Sequence, residues 1–296
     1  LLIAFGGGSV IDATKLIQLC LWTDVTEVDQ LAPYRMGRGD DRKDAARISS
    51  GVRMIAIPTT LSAAEFTPFA GVTDGETQVK ESYTHPDFAP RAVILDPAIT
   101  LDTPARLWSS TGMKAIDHAV EQLCNLERSP MGDAVAAEGL RLLAKGLRAT
   151  HDDPADLEAR AACQHGMWLA ISGAATGRGM GASHAIGHTL GGSYSVPHGI
   201  TSCITLHATL EWNRDYSVDR QTLVSRLMGK RALPAADVVR DLVKTLGLPW
   251  RLSELLLGAS HFRAIAEHTM HDRGIRTNPR PIRNADDIVE ILELCA

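Results

Sequence analysis

The chain has 296 residues, of which 45% are hydrophobic and 22% are charged, with a formal net charge of −5. This composition is typical of a globular protein and argues against a nucleic-acid-binding surface built on excess basic charge. No segment is long and apolar enough to predict a membrane span, and the five scattered cysteines form no CxxC pair. We therefore expect reduced thiols, a cytoplasmic location, and no nucleic-acid or membrane partner.

The first third of the chain has the pattern of an α/β domain. Short apolar runs predict strands at Leu1–Phe5, Val52–Ile57 and Arg91–Leu95, and a hairpin of Phe69–Asp74 with Thr77–Thr84. An amphipathic run from Val10 to about Trp22 predicts a helix, and the polar residues 24–50 predict a surface loop with little regular structure. Because Leu1–Phe5 has the composition of a central strand, we expect a further segment upstream of it.

Two turns in this part have the composition of ligand-binding turns. Gly6-Gly7-Gly8-Ser9 joins the first strand to the helix, a layout that binds phosphate through backbone N–H groups, with Ser9 as the expected N-cap. A plain tight turn is the alternative, since the pattern is not GxGxxG. Thr59, Thr60 and Ser62 follow the second strand, where ligands bind in open α/β sheets.

From Thr103 onward the chain is predicted to be helical. Thr103-Pro104 predicts an N-cap followed by proline at the first helical position. Helices are predicted near 104–124, 131–149, 155–176, 180–190, 198–213, 218–229, 235–247, 260–271 and 286–294. Because several carry few charges, they are expected to pack together. The predicted fold is therefore a partial α/β dinucleotide-binding domain at 1–102 followed by an all-α helical bundle at 103–296.

Histidines concentrate in residues 181–199. His184 and His188 are four residues apart, so they share one face of a helix, and the pair Gly191-Gly192 is expected to let the chain turn back towards His198. Imidazoles grouped in this way can bind a divalent cation or relay a proton near neutral pH. The alternative is a set of rings satisfied by local hydrogen bonds. A second stretch upstream places Lys114 and His118 on one helical face.

Five linked motifs occur along the chain. They are GGGSVIDATK at 6–15, IPTT at 57–60, GMKAIDHAVE at 112–121, HAIGHTLGG followed by PHG within 184–199, and NPRP at 278–281. In this order they resemble the iron-containing alcohol dehydrogenase superfamily over essentially the whole chain. The resemblance implies a dinucleotide-binding α/β domain, a helical domain and an active site in the cleft. Members have further α/β units before the glycine turn, so the chain looks N-terminally truncated.

The resemblance also implies the roles of individual residues. Contacts to NAD or NADP are implied for Gly7, Gly8, Ser9, Asp12, Thr59, Thr60, Ser62 and Lys80. A metal, Fe²⁺ or Zn²⁺, is implied at His118, His184 and His198 together with an aspartate, and a proton relay is implied at His188. The acidic residue that would distinguish NAD from NADP is expected upstream of this chain.

Lys114 stands where the family has its aspartate ligand. A charged ammonium cannot ligate a metal and would repel a dication, and Asp117 is expected to face away on the helix. We therefore predict weakened or lost metal binding, with Lys114, His184, His188 and His198 as the catalytic residues. The alternative is that Lys114 reaches solvent while three histidines still hold zinc or iron.

Several details resemble the maleylacetate reductase branch of the superfamily, which does without the metal. The prediction is an NAD(P)-dependent oxidoreductase that acts on a small unsaturated keto-diacid from aromatic degradation, with a homodimer as the family's assembly. Arg178 is a candidate contact for the diacid. The first alternative is a metal-dependent alcohol dehydrogenase, because Pro197-His198-Gly199 is closer to that group. The second is a non-catalytic nucleotide-binding remnant.

Overall fold

The computed structural model of the chain describes residues 1–36, 48, 50–73, 75, 80–174 and 180–296. The chain divides into two compact units, Leu1–Thr100 (the N-terminal unit) and Leu101–Ala296 (the helical unit). No helix in these ranges is long and apolar enough to cross a membrane.

The N-terminal unit contains a parallel sheet and a separate hairpin. The sheet has the order β1-β2-β5, formed by β1 (Leu2–Gly6), β2 (Met54–Pro58) and β5 (Ala92–Val93). The register pairs Leu2 with Met54 and Gly6 with Pro58, so β1 and β2 end together at the glycine turn. The strands β3 (Phe69–Thr73) and β4 (Lys80–Thr84) pair antiparallel, which confirms the predicted hairpin.

The helix α1 (Gly8–Thr23) follows β1 directly, and its start differs from the prediction. Its N-cap is Gly7, so Ser9 lies in the first turn and is not the cap. The glycine turn needs no side chain to form, and the chain therefore enters the helix two residues earlier. The predicted loop 24–50 is also wrong in part, because Val28–Tyr34 forms a 3₁₀ helix that buries Leu31 and Tyr34.

The helical unit confirms the predicted all-α part. Its helices are α2 (Ala105–Cys124), α3 (Pro130–Asp152), α4 (Leu157–Ala174), α5 (Ala182–Tyr194), α6 (His198–Trp212), α7 (Val218–Leu227), α8 (Ala235–Thr245), α9 (Ala259–Thr269) and α10 (Ala285–Glu293). Pro104 is the N-cap of α2 and not its first helical residue, a shift of one position. The helices α2 and α5 both pack against α6, so residues of three helices meet there.

The chain reversal between α5 and α6 lies later than predicted. Gly191 and Gly192 remain inside α5, and Ser195 makes the turn with φ 54° and ψ 27°. The N–H of Val196 then donates to the carbonyl of Leu190 at 3.2 Å, which satisfies a carbonyl at the helix end. This turn leads through Pro197 to His198, the first residue of α6.

Glycines set the close approach of the helices that carry the histidines. A Cβ on Gly199 would lie 2.6 Å from the backbone carbonyl of Ser110 in α2. A Cβ on Gly187 in α5 would lie 2.9 Å from the hydroxyl of Thr201 in α6. A larger residue at either position would push the helices apart, so packing favours glycine at both.

Candidate active site

The N-terminus of α1 has the features of a phosphate-binding site. No described side chain caps its first turn. A Cβ on Gly7 would lie 3.0 Å from Thr60, and one on Gly8 would lie 2.9 Å from the Ser62 hydroxyl. The hydroxyl oxygens of Thr60 and Ser62 are buried, and neither has a hydrogen-bond partner within the described ranges. Uncapped N–H groups at a helix start and two available hydroxyls fit the pyrophosphate of a dinucleotide.

Two residues on α1 tie this turn to the chain that follows β2. Lys15 is fully buried, and its Nζ donates to the carbonyls of Ala64 and Phe69 at 2.6 Å each. Asp12 lies 3.5 Å from that Nζ and accepts a hydrogen bond from the Gly71 N–H at 3.1 Å. Burial lowers the pKa of Lys15, and the charge of Asp12 opposes that shift. Asp12, a predicted cofactor contact, thus bonds to protein groups.

Lys15 was missed by sequence reasoning, although its spacing from Asp12 is a usable signal.

Replacing Lys15 by methionine leaves two carbonyls without their donor. We expect unfolding to become easier by roughly 2–4 kcal/mol, together with weaker NADH binding, because the residues after β2 lose their tie to α1. Urea unfolding and NADH titration measure both effects. Lys145→Met, at an exposed position on α3, is the matched control, and equal behaviour of the two variants would refute this role.

In the helical unit, four histidine rings lie together. The rings of His118 and His184 stack with centroids 4.8 Å apart, and those of His188 and His198 stack at 5.5 Å. The His184 centroid lies 5.9 Å from that of His198 and 6.3 Å from that of His188. The structure therefore brings the four predicted histidines into one group, with His118 and His184 buried and His188 exposed.

Glu121 on α2 holds the start of α5. Its carboxylate accepts hydrogen bonds from the backbone N–H groups of Gly181 and Ser183, each at 2.8 Å. It also lies 2.8 Å from Nδ1 of His184, and because a carboxylate only accepts, that ring nitrogen carries the proton. A Cβ on Gly181 would lie 2.7 Å from the same carboxylate. Glu121 thus caps a neighbouring helix and fixes which nitrogen of His184 is protonated.

The NPRP motif acts at the same helix start. Asn278 and Asn213 exchange side-chain amide hydrogen bonds at 2.8 and 2.9 Å. The Asn278 oxygen also accepts from the Ala182 N–H at 3.4 Å. The motif therefore contributes to the site by fixing α5 rather than by contacting the histidine rings.

Asp117 lies in the site, and the expectation that it faces away is wrong. Its Oδ2 is 2.9 Å from the Ser183 hydroxyl and 3.4 Å from His184 Nδ1. Burial raises the pKa of Asp117 to about 7. Burial alone would lower the pKa of His184, but the carboxylates of Asp117 and Glu121 outweigh it and raise that pKa. A helical wheel of α2 places Asp117 and His118 on different faces of that helix. It does not show that α5 packs against α2 and places His184 next to Asp117.

Lys114 contributes positive charge to this group. Burial lowers the pKa of His118 well below its ordinary value, and the charges of His184 and Lys114 act in the same direction. The Lys114 charge also opposes protonation of His184. Lys114 is therefore close enough to act on both rings, and His118 is neutral near pH 7.

His188 has a carboxylate partner that sequence reasoning missed. Its Nδ1 lies 2.8 Å from Oδ2 of Asp272, in the segment between α9 and α10. The other oxygen of Asp272 accepts from the Gly274 N–H at 2.7 Å. A partner 84 positions away along the chain has no local sequence signal.

The residues fit the family's metal only in part. Nδ1 of His118 and Nε2 of His184 are buried without a hydrogen-bond partner among the described residues, which suits metal ligands. The positive charge of Lys114 on the same two rings opposes a dication. In the described ranges, the one group of ligand atoms within 4.8 Å of one another is Asp117, Glu121 and His184. Its atoms already bond to each other and to the α5 backbone, so this group is not available to a metal, and the partial fit rests on the two histidine nitrogens.

Two predicted contacts lie outside the described part of the chain. The Lys80 side chain is one, although its backbone pairs with Thr73 at the start of β4. Arg178, the candidate contact for a diacid, lies in 175–179 and is the other.

Comparison with known proteins identifies the family. Residues 1–97 match the family described as iron-containing alcohol dehydrogenase, and residues 109–295 match the Fe-containing alcohol dehydrogenase family, C-terminal. The chain is 32% identical to dehydrogenase FUM7 of Gibberella moniliformis (strain M3125 / FGSC 7600), covering 100% of this chain and 77% of that protein. It is 33% identical to a maleylacetate reductase of Burkholderia cepacia, covering 84% and 68%.

A solved structure agrees with these sequence matches. The crystal structure of maleylacetate reductase from Agrobacterium tumefaciens superposes with a TM-score of 0.79 at 29% identity, covering 99% of this chain and 73% of that one. Membership of the matched family implies a nicotinamide dinucleotide and iron. The chain belongs to the iron-containing alcohol dehydrogenase family and is an NAD(P)-dependent oxidoreductase.

Proposed function

We propose that this oxidoreductase reduces a small unsaturated keto-diacid of the maleylacetate type, with the Lys114 ammonium in place of a metal ion. In this proposal residues 1–102 bind the dinucleotide and residues 103–296 bind the substrate. The proposal includes a cytoplasmic location and the homodimeric assembly expected for the family. The maleylacetate reductase similar to this chain at 33% identity supports the choice of substrate.

The observation that carries the proposal is that the positive charge of Lys114 acts on the pKa of His118 and of His184. Its charge opposes protonation of both rings, and burial with that charge holds the pKa of His118 well below its ordinary value, so a neutral His118 imidazole and the Lys114 cation share the site. A cation suits a substrate that carries two carboxylates and a carbonyl oxygen on which negative charge develops. A bound dication would meet electrostatic repulsion from the same group.

The reaction assigns separate tasks to the residues. The α1 turn with Thr60 and Ser62 would hold NADH or NADPH, which when bound would supply a hydride to the alkene carbon conjugated with the ketone. Negative charge then builds on the ketone oxygen, where Lys114 stabilises it. His188 gives a proton to the adjacent carbon, which completes the saturated ketone. His184 and His198 contact the substrate beside it, and Glu121 holds His184 in place.

The test combines metal analysis with activity. We expect NADH oxidation in the presence of maleylacetate, less than about 0.1 iron or zinc per chain, and no change in rate after chelation. Oxidation of NADH is followed by absorbance, with 1,2-propanediol and NAD⁺ assayed in the opposite direction as the alcohol control. Near one metal per chain, with activity lost on chelation, would contradict the proposal.

A metal-dependent alcohol dehydrogenase is the second candidate. Nδ1 of His118 and Nε2 of His184 favour it, because both nitrogens are buried, lack a hydrogen-bond partner among the described residues and could ligate Fe²⁺ or Zn²⁺. The same metal analysis decides between the two candidates, since only this one requires the ion for turnover.

A further inference from the structure

We infer that Asp272 is the positioning residue that holds one proton on Nδ1 of His188. The proton given to the substrate is then the second ring proton, carried by Nε2 and regained from solvent after turnover. The inference deepens the proposed function and rests on His188 being its proton donor. Asp272 contacts His188 and not the reacting atoms, so it acts through the ring.

The hydrogen bonds of the two Asp272 oxygens determine which nitrogen of His188 carries a proton. Oδ1 accepts from the Gly274 N–H at 2.7 Å, and Oδ2 lies 2.8 Å from His188 Nδ1. Because both oxygens only accept, Nδ1 of His188 must carry a proton. The remaining nitrogen, Nε2, lies on the opposite edge of the ring and is available for proton transfer. A carboxylate that fixes a histidine in this way also stabilises its protonated form.

The segment that carries Asp272 is fastened to the helix that carries His188. Asp272 is the N-cap of the 3₁₀ segment Arg273–Thr277. The Thr277 hydroxyl donates to the carbonyl of Met180 at 2.9 Å, just before α5. A Cβ on Gly274 would lie 3.0 Å from that same carbonyl. Ring and carboxylate therefore keep their separation without help from a ligand, as a positioning role requires.

The charge state of Asp272 agrees with this role. Burial alone would raise its pKa, but the hydrogen bond and charge of His188, with the Gly274 N–H, lower it overall. Asp272 is therefore an acceptor at neutral pH, although three-quarters of its side chain is buried.

Asp272→Asn tests the inference because the Gly274 N–H decides how the amide is oriented. The amide oxygen must face that N–H, so the NH₂ group faces His188 and donates to Nδ1, which moves the ring proton to Nε2. We expect kcat to fall about a hundredfold, with the NADH dissociation constant unchanged. Two-bond ¹⁵N–¹H correlation of the labelled ring is expected to show Nδ1–H in the parent chain and Nε2–H in the variant.

A second variant separates positioning from a purely structural role. In a His188→Gln background, Asp272→Asn should cause no further loss of kcat, because the ring through which it acts is gone. Additive losses, or an unchanged ring tautomer in Asp272→Asn, would overturn the inference. If the parent chain shows no activity with maleylacetate but the tautomer still moves, the substrate proposal fails while the Asp272–His188 pairing stands.

Discussion

Replacing Lys114 by methionine should lower kcat with maleylacetate by about a hundredfold or more, which is the usual cost of removing one group that stabilises a developing oxyanion. Methionine keeps the length and helix propensity of lysine while it removes the charge. The NADH dissociation constant should stay the same, because the dinucleotide features belong to α1 and the chain after β2. Stopped-flow kinetics and NADH titration measure the two quantities separately.

Lys114→Arg is the matched control for this variant. Arginine keeps the positive charge but spreads it over a planar group, so it should retain more activity than methionine. Equal losses in both variants would show that shape, rather than charge, explains the effect of Lys114.

Lys114→Asp tests the same position in the opposite direction. The substitution supplies the carboxylate that the family resemblance places there and removes the repulsion of a dication. We expect iron or zinc to rise to about one per chain by elemental analysis, while reductase activity falls. A metal content that is the same in both proteins would show that Lys114 does not control metal binding.

Glu121→Gln should have the second large effect, on both stability and turnover. Glu121 accepts hydrogen bonds from Gly181, Ser183 and His184, whereas an amide has a single acceptor oxygen. Whichever way the amide lies, its NH₂ group faces a backbone N–H that loses its partner. We expect a loss of roughly 3 kcal/mol in the free energy of unfolding and a fall in kcat as His184 shifts.

Glu138→Gln is the control for the loss of a carboxylate. Glu138 pairs with Arg141 at the surface of α3, with about half of each side chain exposed, so its removal should cost less than about 0.5 kcal/mol. Urea unfolding of both variants gives the comparison. A Glu121 variant as stable and as active as the control would remove Glu121 from the site.

The sequence predicted elements better than it predicted partners. Alternating and helical periodicities located the sheet and the helices within a few residues, because those patterns depend on near neighbours along the chain. The start of α1 was missed because a side-chain cap was expected where glycine backbone suffices. The length of α5 was missed because glycine inside a helix costs only about 1 kcal/mol, which packing against α6 offsets.

Among the site residues too, local signals were predicted and distant partners were not. The histidines were found because His184 and His188 lie four residues apart in one stretch of sequence. Glu121 and Asp272 were missed as partners of His184 and His188, since these contacts span 63 and 84 positions along the chain. A helical wheel orients residues within one helix only, and it gave the wrong expectation for Asp117 because it does not show what packs against that helix.

The glycines at 181, 187 and 199 have a consequence for the energetics of reaction. They let α2, α5 and α6 approach closely enough that a single Cβ would collide with Glu121, Thr201 or Ser110. Rings and carboxylates seated on backbones packed this tightly have little room to reorient when charge appears on a substrate. Water around the same charge would have to reorganise at every turnover, whereas here the dipoles are oriented once, when the chain folds. The close packing that these three glycines allow therefore lowers the reorganisation energy of the site.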